Sequence, residues 1–138
     1  MSFKLLEHAT DAFIEITASD LKEAFTLAGN SVVETTLDRD AIEEKEERII
    51  SVAGKDLRYL LFNWLEEVIF QIITEGFAIH RFKLDIKKKL EYEIVATAYG
   101  EPIDLQKHHF KVEIKAPTFH LMEISEGKKV VMRFLLDL

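Results

Sequence analysis

Carboxylates open and close the sequence. Glu7-His8-Ala9-Thr10-Asp11 stands near the start, and Asp137-Leu138 comes last, one side-chain carboxylate beside the terminal α-carboxylate of Leu138. Asp38 begins a charged stretch in which Asp38, Asp40, Glu43, Glu44, Glu46 and Glu47 face Arg39, Lys45 and Arg48. Oxygen donors in a chain without cysteine suit a hard cation, Mg²⁺ or Ca²⁺, rather than Zn²⁺. On spacing alone, a solvated acidic surface explains the same residues. His8, between Glu7 and Asp11, reads as a hydrogen-bonded structural histidine or as a ligand or base. His108-His109 lacks the i, i+4 spacing of a helical zinc pair, and His120 falls on a strand-like run where a structural role is expected.

Other chemistries leave no trace in the sequence. No serine sits in a G-x-S-x-G elbow, and neither G-x-x-x-x-G-K-[ST] nor G-x-G-x-x-G occurs. The absence of cysteine excludes disulfides, thiolate metal sites and a Cys nucleophile. Glu43 to Glu47 reads as solvated surface. Nothing in these residues argues independently for an enzyme; a stand-alone metal-dependent hydrolase using the same aspartates and a non-catalytic interaction module with an acidic face stay open.

The elements that must position these groups follow from periodicity. Residues 13–18 read as a strand. Ser19 or Asp20 can cap a helix over 21–33, with Leu21, Ala24, Phe25, Ala28 and Val32 on one face and Gly29 as a mild cost. Residues 48–53 read as a strand ended by Gly54. The clearest helix is 56–75, where Leu57, Leu60, Leu61, Trp64, Leu65, Val68, Ile69, Ile72 and Ile73 recur at helical spacing and Gly76 supplies the stop. Phe62 and Phe70 lie off that stripe, which predicts a central helix covered on more than one side. Residues 77–86, 90–99, 110–116, 119–124 and 130–136 read as strands, with a hairpin turn at Glu126-Gly127-Lys128. In the last strand Val130, Met132, Phe134 and Leu136 share one face, so Asp137 points away from the main apolar set. Helices followed by a run of antiparallel strands make an α+β domain, and 138 residues suffice for one such domain, 1–138.

Composition bounds the partners. Hydrophobic residues make up 48% of the chain, enough for a core, and no apolar run approaches a membrane span. The start, Met1-Ser2-Phe3-Lys4, lacks a signal-peptide apolar region, so a cytoplasmic, membrane-free protein is expected. The formal net charge of -7 opposes stable direct binding to nucleic acid and favours a basic partner or a cation. Lys87-Lys88-Lys89 is the basic exception, read as a solvated turn between strands.

Four blocks carry a resemblance over essentially the whole chain. They are Glu7-His8-Ala9-Thr10-Asp11, Leu21-Lys22-Glu23-Ala24-Phe25, Leu60-Leu61-Phe62-Asn63-Trp64-Leu65-Glu66-Glu67, and Val112-Glu113-Ile114-Lys115-Ala116 with Thr118-Phe119-His120. With the Asp137-Leu138 ending, their order and spacing resemble the archease family, activators of the RtcB-type RNA ligase. The chain departs from the family in its Ala9-Thr10 order, which is usually Thr-Ala, and in Phe119, where a tyrosine is frequent. The resemblance implies an α+β fold and a protein that is not itself a ligase. It implies a protein that promotes guanylylation and multiple turnover of the ligase in tRNA splicing and RNA repair. It also implies a divalent-cation site, Ca²⁺ or Mg²⁺, at Asp11, Asp38 and Asp137 with Leu138 as a fourth contributor, and supporting or partner-facing roles for His8 and Lys115.

Overall fold

Both α-helices begin where an aspartate side chain stands in for a missing backbone partner. The computed structural model describes residues 2–6 and 10–138. Strand β1 (Ser2–Leu6) leads to β2 (Asp11–Ala18), in which Ala12, Ile14, Ile16 and Ala18 are buried. Helix α1 (Leu21–Thr36) starts at Asp20, whose carboxylate accepts the Glu23 N–H at 2.8 Å. Glu23 returns the favour by accepting the Ser19 N–H at 3.0 Å. A 3₁₀ turn (Arg39–Ala41) leads into β3 (Glu46–Gly54). Helix α2 (Leu57–Ile69) is capped by Asp56, which accepts the Tyr59 N–H at 3.0 Å. Strands β4 (Phe77–Lys88), β5 (Tyr92–Pro102), β6 (Ala116–Glu126) and β7 (Val130–Asp137) complete the order.

The strands form two antiparallel sheets, ordered β1-β2-β7-β6 and β3-β5-β4. The helices lie between them. α1 packs on β1, β2 and β7 of one sheet and β4 of the other, and α2 packs on β6, β3 and β5. This is the expected α+β architecture, and a helix layer covered on both sides explains the apolar breadth of α2. Trp64 is fully buried at its centre, donating its indole N–H to the Phe25 carbonyl at 2.8 Å and meeting Phe82 edge-on. Gly29 is here a packing requirement as well as a helix cost: a Cβ would lie 2.8 Å from the Phe82 ring and 3.1 Å from Trp64.

Three expectations need correction. The second helix does not continue as α to residue 75. It ends at Ile69 and passes into a π-helical turn (Phe70–Thr74), with Gly76 at φ +64 after it. Phe70 is exposed rather than covered, whereas Phe62 stacks on Phe119 with ring centroids 4.4 Å apart. Residues 110–116 are not a strand until Ala116. Val112 is half-buried and Ile114 buried because a surface loop presses one side onto the core, which mimics a strand's alternation without a ladder.

A candidate cation site at one end of the molecule

Asp11 is the first residue of β2 and Asp137 the last of β7, and the register of this pair sets them directly opposite each other. Asp137 is exposed, as strand parity predicts, and Asp11 is half-buried. The side chain of Asp137 leaves the core face while Met132, Phe134 and Leu136 stay fully buried. Lys115 donates its backbone N–H to the Asp137 carbonyl at 2.7 Å, and Leu138 is half-buried against the core.

Asp38 reaches the same end by arithmetic of lengths. Eight residues of β2 carry the chain about 26 Å away from Asp11. Sixteen residues of α1, which packs back on β2, return it by about 24 Å. A covering segment confirms the level. Lys111 donates its N–H to the Thr36 carbonyl at 2.8 Å, and Lys115 donates to Asp137. The four residue steps between them span roughly 14 Å at most. The end of α1, with Asp38 just beyond it, therefore lies toward the same end of the molecule as the end of β7.

The Asp38 turn is held from several directions. Its carboxylate accepts the Asp40 N–H at 3.2 Å, and its own N–H is donated to the His108 carbonyl at 2.8 Å. Arg39 donates to Glu34 at 3.2 Å and to the His80 carbonyl at 3.0 Å. Further along, Glu44 accepts both Arg81 N–H groups, at 3.1 and 3.0 Å, and lies 2.6 Å from His80 Nδ1. These hydrogen bonds, Arg81 first and His80 second, hold the Glu44 carboxyl at about 2. Glu44 is exposed, as expected of a solvated stretch, and it also ties this loop to β4.

A carboxyl held low in the folded state stabilises the fold fully above the unfolded value near 4.5 and loses that contribution as pH falls toward 2. Urea midpoints should therefore fall between pH 5 and pH 2. Glu44→Gln should cost about 1 kcal/mol at pH 7 and flatten that slope. A slope identical to that of the unaltered protein would show that the triad contributes nothing.

Glu101 and His108 are both buried; spacing does not single out Glu101, and it weighs His108 only as half of a disfavoured zinc pair. His108 Nε2 lies 2.9 Å from Glu101 Oε2. Glu101 also accepts the Glu43 N–H at 2.8 Å and the Lys107 ammonium at 2.9 Å. The Glu43 amide, His108 and Lys107, in that order, hold the Glu101 carboxyl far below the usual carboxylate range. A Glu-x₆-His spacing across a strand end and a turn has no periodicity to reveal it. His109 is exposed with φ 52, and His120 is exposed on β6, so neither has the buried structural role found for His108. His8, with Glu7 and Ala9, lies outside the described residues.

The donor set of Asp11, Asp38 and Asp137 is all oxygen, which fits a hard divalent cation. Among the described residues, no three His, Asp or Glu side chains stand together as a ready metal-holding group. The backbone brings the aspartates to one end.

Comparison with known proteins agrees with this architecture. The family model described as Archease protein family (MTH1598/TM1083) matches residues 3–138. The chain belongs to the archease family. A protein archease of Pyrobaculum islandicum is 38% identical over 128 residues, covering 91% of this chain and 87% of that one. One from Methanopyrus kandleri is 32% identical with full coverage of both chains. The solution structure of Methanobacterium thermoautotrophicum protein 1598 superposes with a TM-score of 0.85 at 33% identity, covering 99% of each chain. Within this family fold, Phe119 fills its place by stacking on Phe62 and meeting Tyr59 at a tilt, contacts that need no phenolic hydroxyl. No helix among the described residues is long and apolar enough to cross a membrane.

Proposed function

We propose that this chain is a cation-binding accessory protein of an RtcB-type RNA ligase. In this reading it is not an enzyme. It promotes guanylylation of the ligase and its multiple turnover in tRNA splicing and RNA repair, in the cytoplasm. Family membership supports the class of function. The observation that carries the site is the opposition of Asp11 and Asp137 at the end of the molecule to which α1 returns Asp38.

A divalent cation, Ca²⁺ or Mg²⁺, would be held by Asp11, Asp38 and Asp137 beside Leu138, and when bound it supplies positive charge to phosphate oxygens. The chain's own contribution is placement. Asp137 projects from a strand end whose inner face is locked in the core, so it presents a carboxylate to a partner without loosening the sheet. Asp38 is fixed by its N–H on the His108 carbonyl and by its carboxylate on the Asp40 N–H. Lys115, exposed next to Asp137, is suited to a phosphate or an acidic group of the partner. The net charge of -7 speeds encounter with a cationic catalytic cleft and disfavours free nucleic acid.

The test is single-turnover guanylylation of an RtcB-type ligase with and without the protein. The unaltered chain should accelerate it, and Asp137→Ala should lose at least tenfold of that acceleration while keeping its circular dichroism spectrum. Equal activation by a folded Asp137→Ala protein would refute the assignment of the site.

A further inference from the structure

One buried carboxylate grips both ends of the turn that carries Asp38. At the far end, Glu101 accepts the Glu43 N–H directly, at 2.8 Å. At the near end it acts through His108, whose Nε2 lies 2.9 Å away and whose carbonyl accepts the Asp38 N–H at 2.8 Å. The ring is fixed from its other side as well. Asp104 donates its N–H to His108 Nδ1 at 3.0 Å, so Nδ1 is an acceptor and the proton sits on Nε2, aimed at Glu101. The His108 N–H in turn is donated to the Asp104 carbonyl at 2.9 Å. His108 is fully buried and Glu101 4% exposed, so neither ring nor carboxylate has water as an alternative partner.

We infer that His108 and Glu101 are positioning residues for the cation site, fixing where Asp38 stands relative to Asp11 and Asp137. This rests on the metal-binding reading above. The physical reason is that a cation site needs its donors held to within a fraction of an ångström, and residues behind the ligands supply that rigidity. Asp11 and Asp137 are held by a sheet. Asp38 sits on a short turn with no sheet of its own, and the Glu101–His108 pair lends it the rigidity of β5. Lys107 and Lys45, which contact Glu101 at 2.9 and 3.5 Å, complete its partners on the open side.

The test is calorimetric titration with CaCl₂, and separately MgCl₂, of the full chain and four variants. It is paired with hydrogen exchange at the Asp38 amide. His108→Ala should weaken cation binding by about 10- to 100-fold and speed Asp38 exchange. Glu101→Ala removes the oxygen that accepts the Glu43 and His108 donors and should also weaken cation binding by about 10- to 100-fold. Leu65→Ala, in the core of α2 and remote from the turn, lowers stability without touching the network and should leave affinity unchanged. His108→Gln, which keeps one of the two ring contacts, carries the test if His108→Ala does not fold, and should bind at least about threefold more weakly. Unchanged affinity in a folded His108 variant overturns the positioning role and leaves the metal reading standing. Equal weakening in Leu65→Ala also overturns it, because the loss would then follow stability alone. An unaltered chain that binds neither cation overturns the metal reading and this inference with it.

Discussion

Gly100→Ala should lower the melting temperature by at least about 12 °C, corresponding to roughly 4 kcal/mol for a chain of this size. Gly100 is buried in β5, paired with Glu46 of β3 on one side and Ile79 of β4 on the other. A Cβ there would lie 1.8 Å from the Ala78 carbonyl oxygen and 2.9 Å from its carbon. The obstacle is backbone, so no side-chain rotation relieves it. β5 is the middle strand of its sheet and cannot withdraw from β4 without moving against β3. The relief left is to break the ladder beside the irregularity between Ile79 and Arg81. That segment carries His80 and Arg81, which hold Glu44, and the His80 carbonyl that holds Arg39. The Gly100 carbonyl itself accepts the Lys45 N–H at 2.9 Å. The substitution should therefore loosen the Asp38 loop together with the sheet. Thermal unfolding followed by circular dichroism decides it. A fall of less than about 4 °C would mean that the sheet absorbs the methyl and that the close approach is dispensable.

The sequence and the structure part company along physical lines. The helix from Asp56 was legible because its burial has a 3.6-residue period over several turns, and Asp56 caps it as its side chain allows. Its last turn was not legible. Whether a turn closes as α or π depends on how the chain must leave toward β4, which local spacing does not encode. Ser2–Leu6 was missed because five residues of an edge strand carry too little alternation to stand out. The false strand at 110–116 shows the converse. Alternating burial reports one-sided contact, and Ile114 obtains it from a loop held by Lys111 on Thr36 and Lys115 on Asp137. For the candidate site, strand parity fixed the direction of Asp137, but its opposition to Asp11 depends on the first sheet pairing β2 with β7, a contact across nearly the full chain. The pairing of Glu101 with His108 was not legible for a related reason. Buried polar residues look like surface residues in a sequence until their partners are known.

That opposition of two carboxylates has a cost that can be measured. Like charges directly across an antiparallel pair are destabilising, by about 0.2–1 kcal/mol. A fold selected for stability alone has no reason to place Asp137 opposite Asp11, whereas a site that recruits a cation does. In chelator-treated protein at low salt, Asp137→Asn should therefore be more stable than the unaltered chain by about 0.5 kcal/mol, because repulsion at the strand end is relieved. Adding Ca²⁺ should reverse the order. At about one hundred times its dissociation constant, a ligand bound by the folded state alone adds about 2.7 kcal/mol. The unaltered chain should show that gain, and Asp137→Asn, with one anionic donor removed, should show a small part of it. The crossing is the diagnostic feature, since a purely structural Asp137 would make the variant weaker in both conditions. Parallel urea titrations with EGTA and with CaCl₂ read it directly. If Asp137→Asn is the less stable protein in EGTA, and Ca²⁺ raises both midpoints equally, the paired aspartates are not a cation site. Their charge would then serve the partner's surface and not a metal.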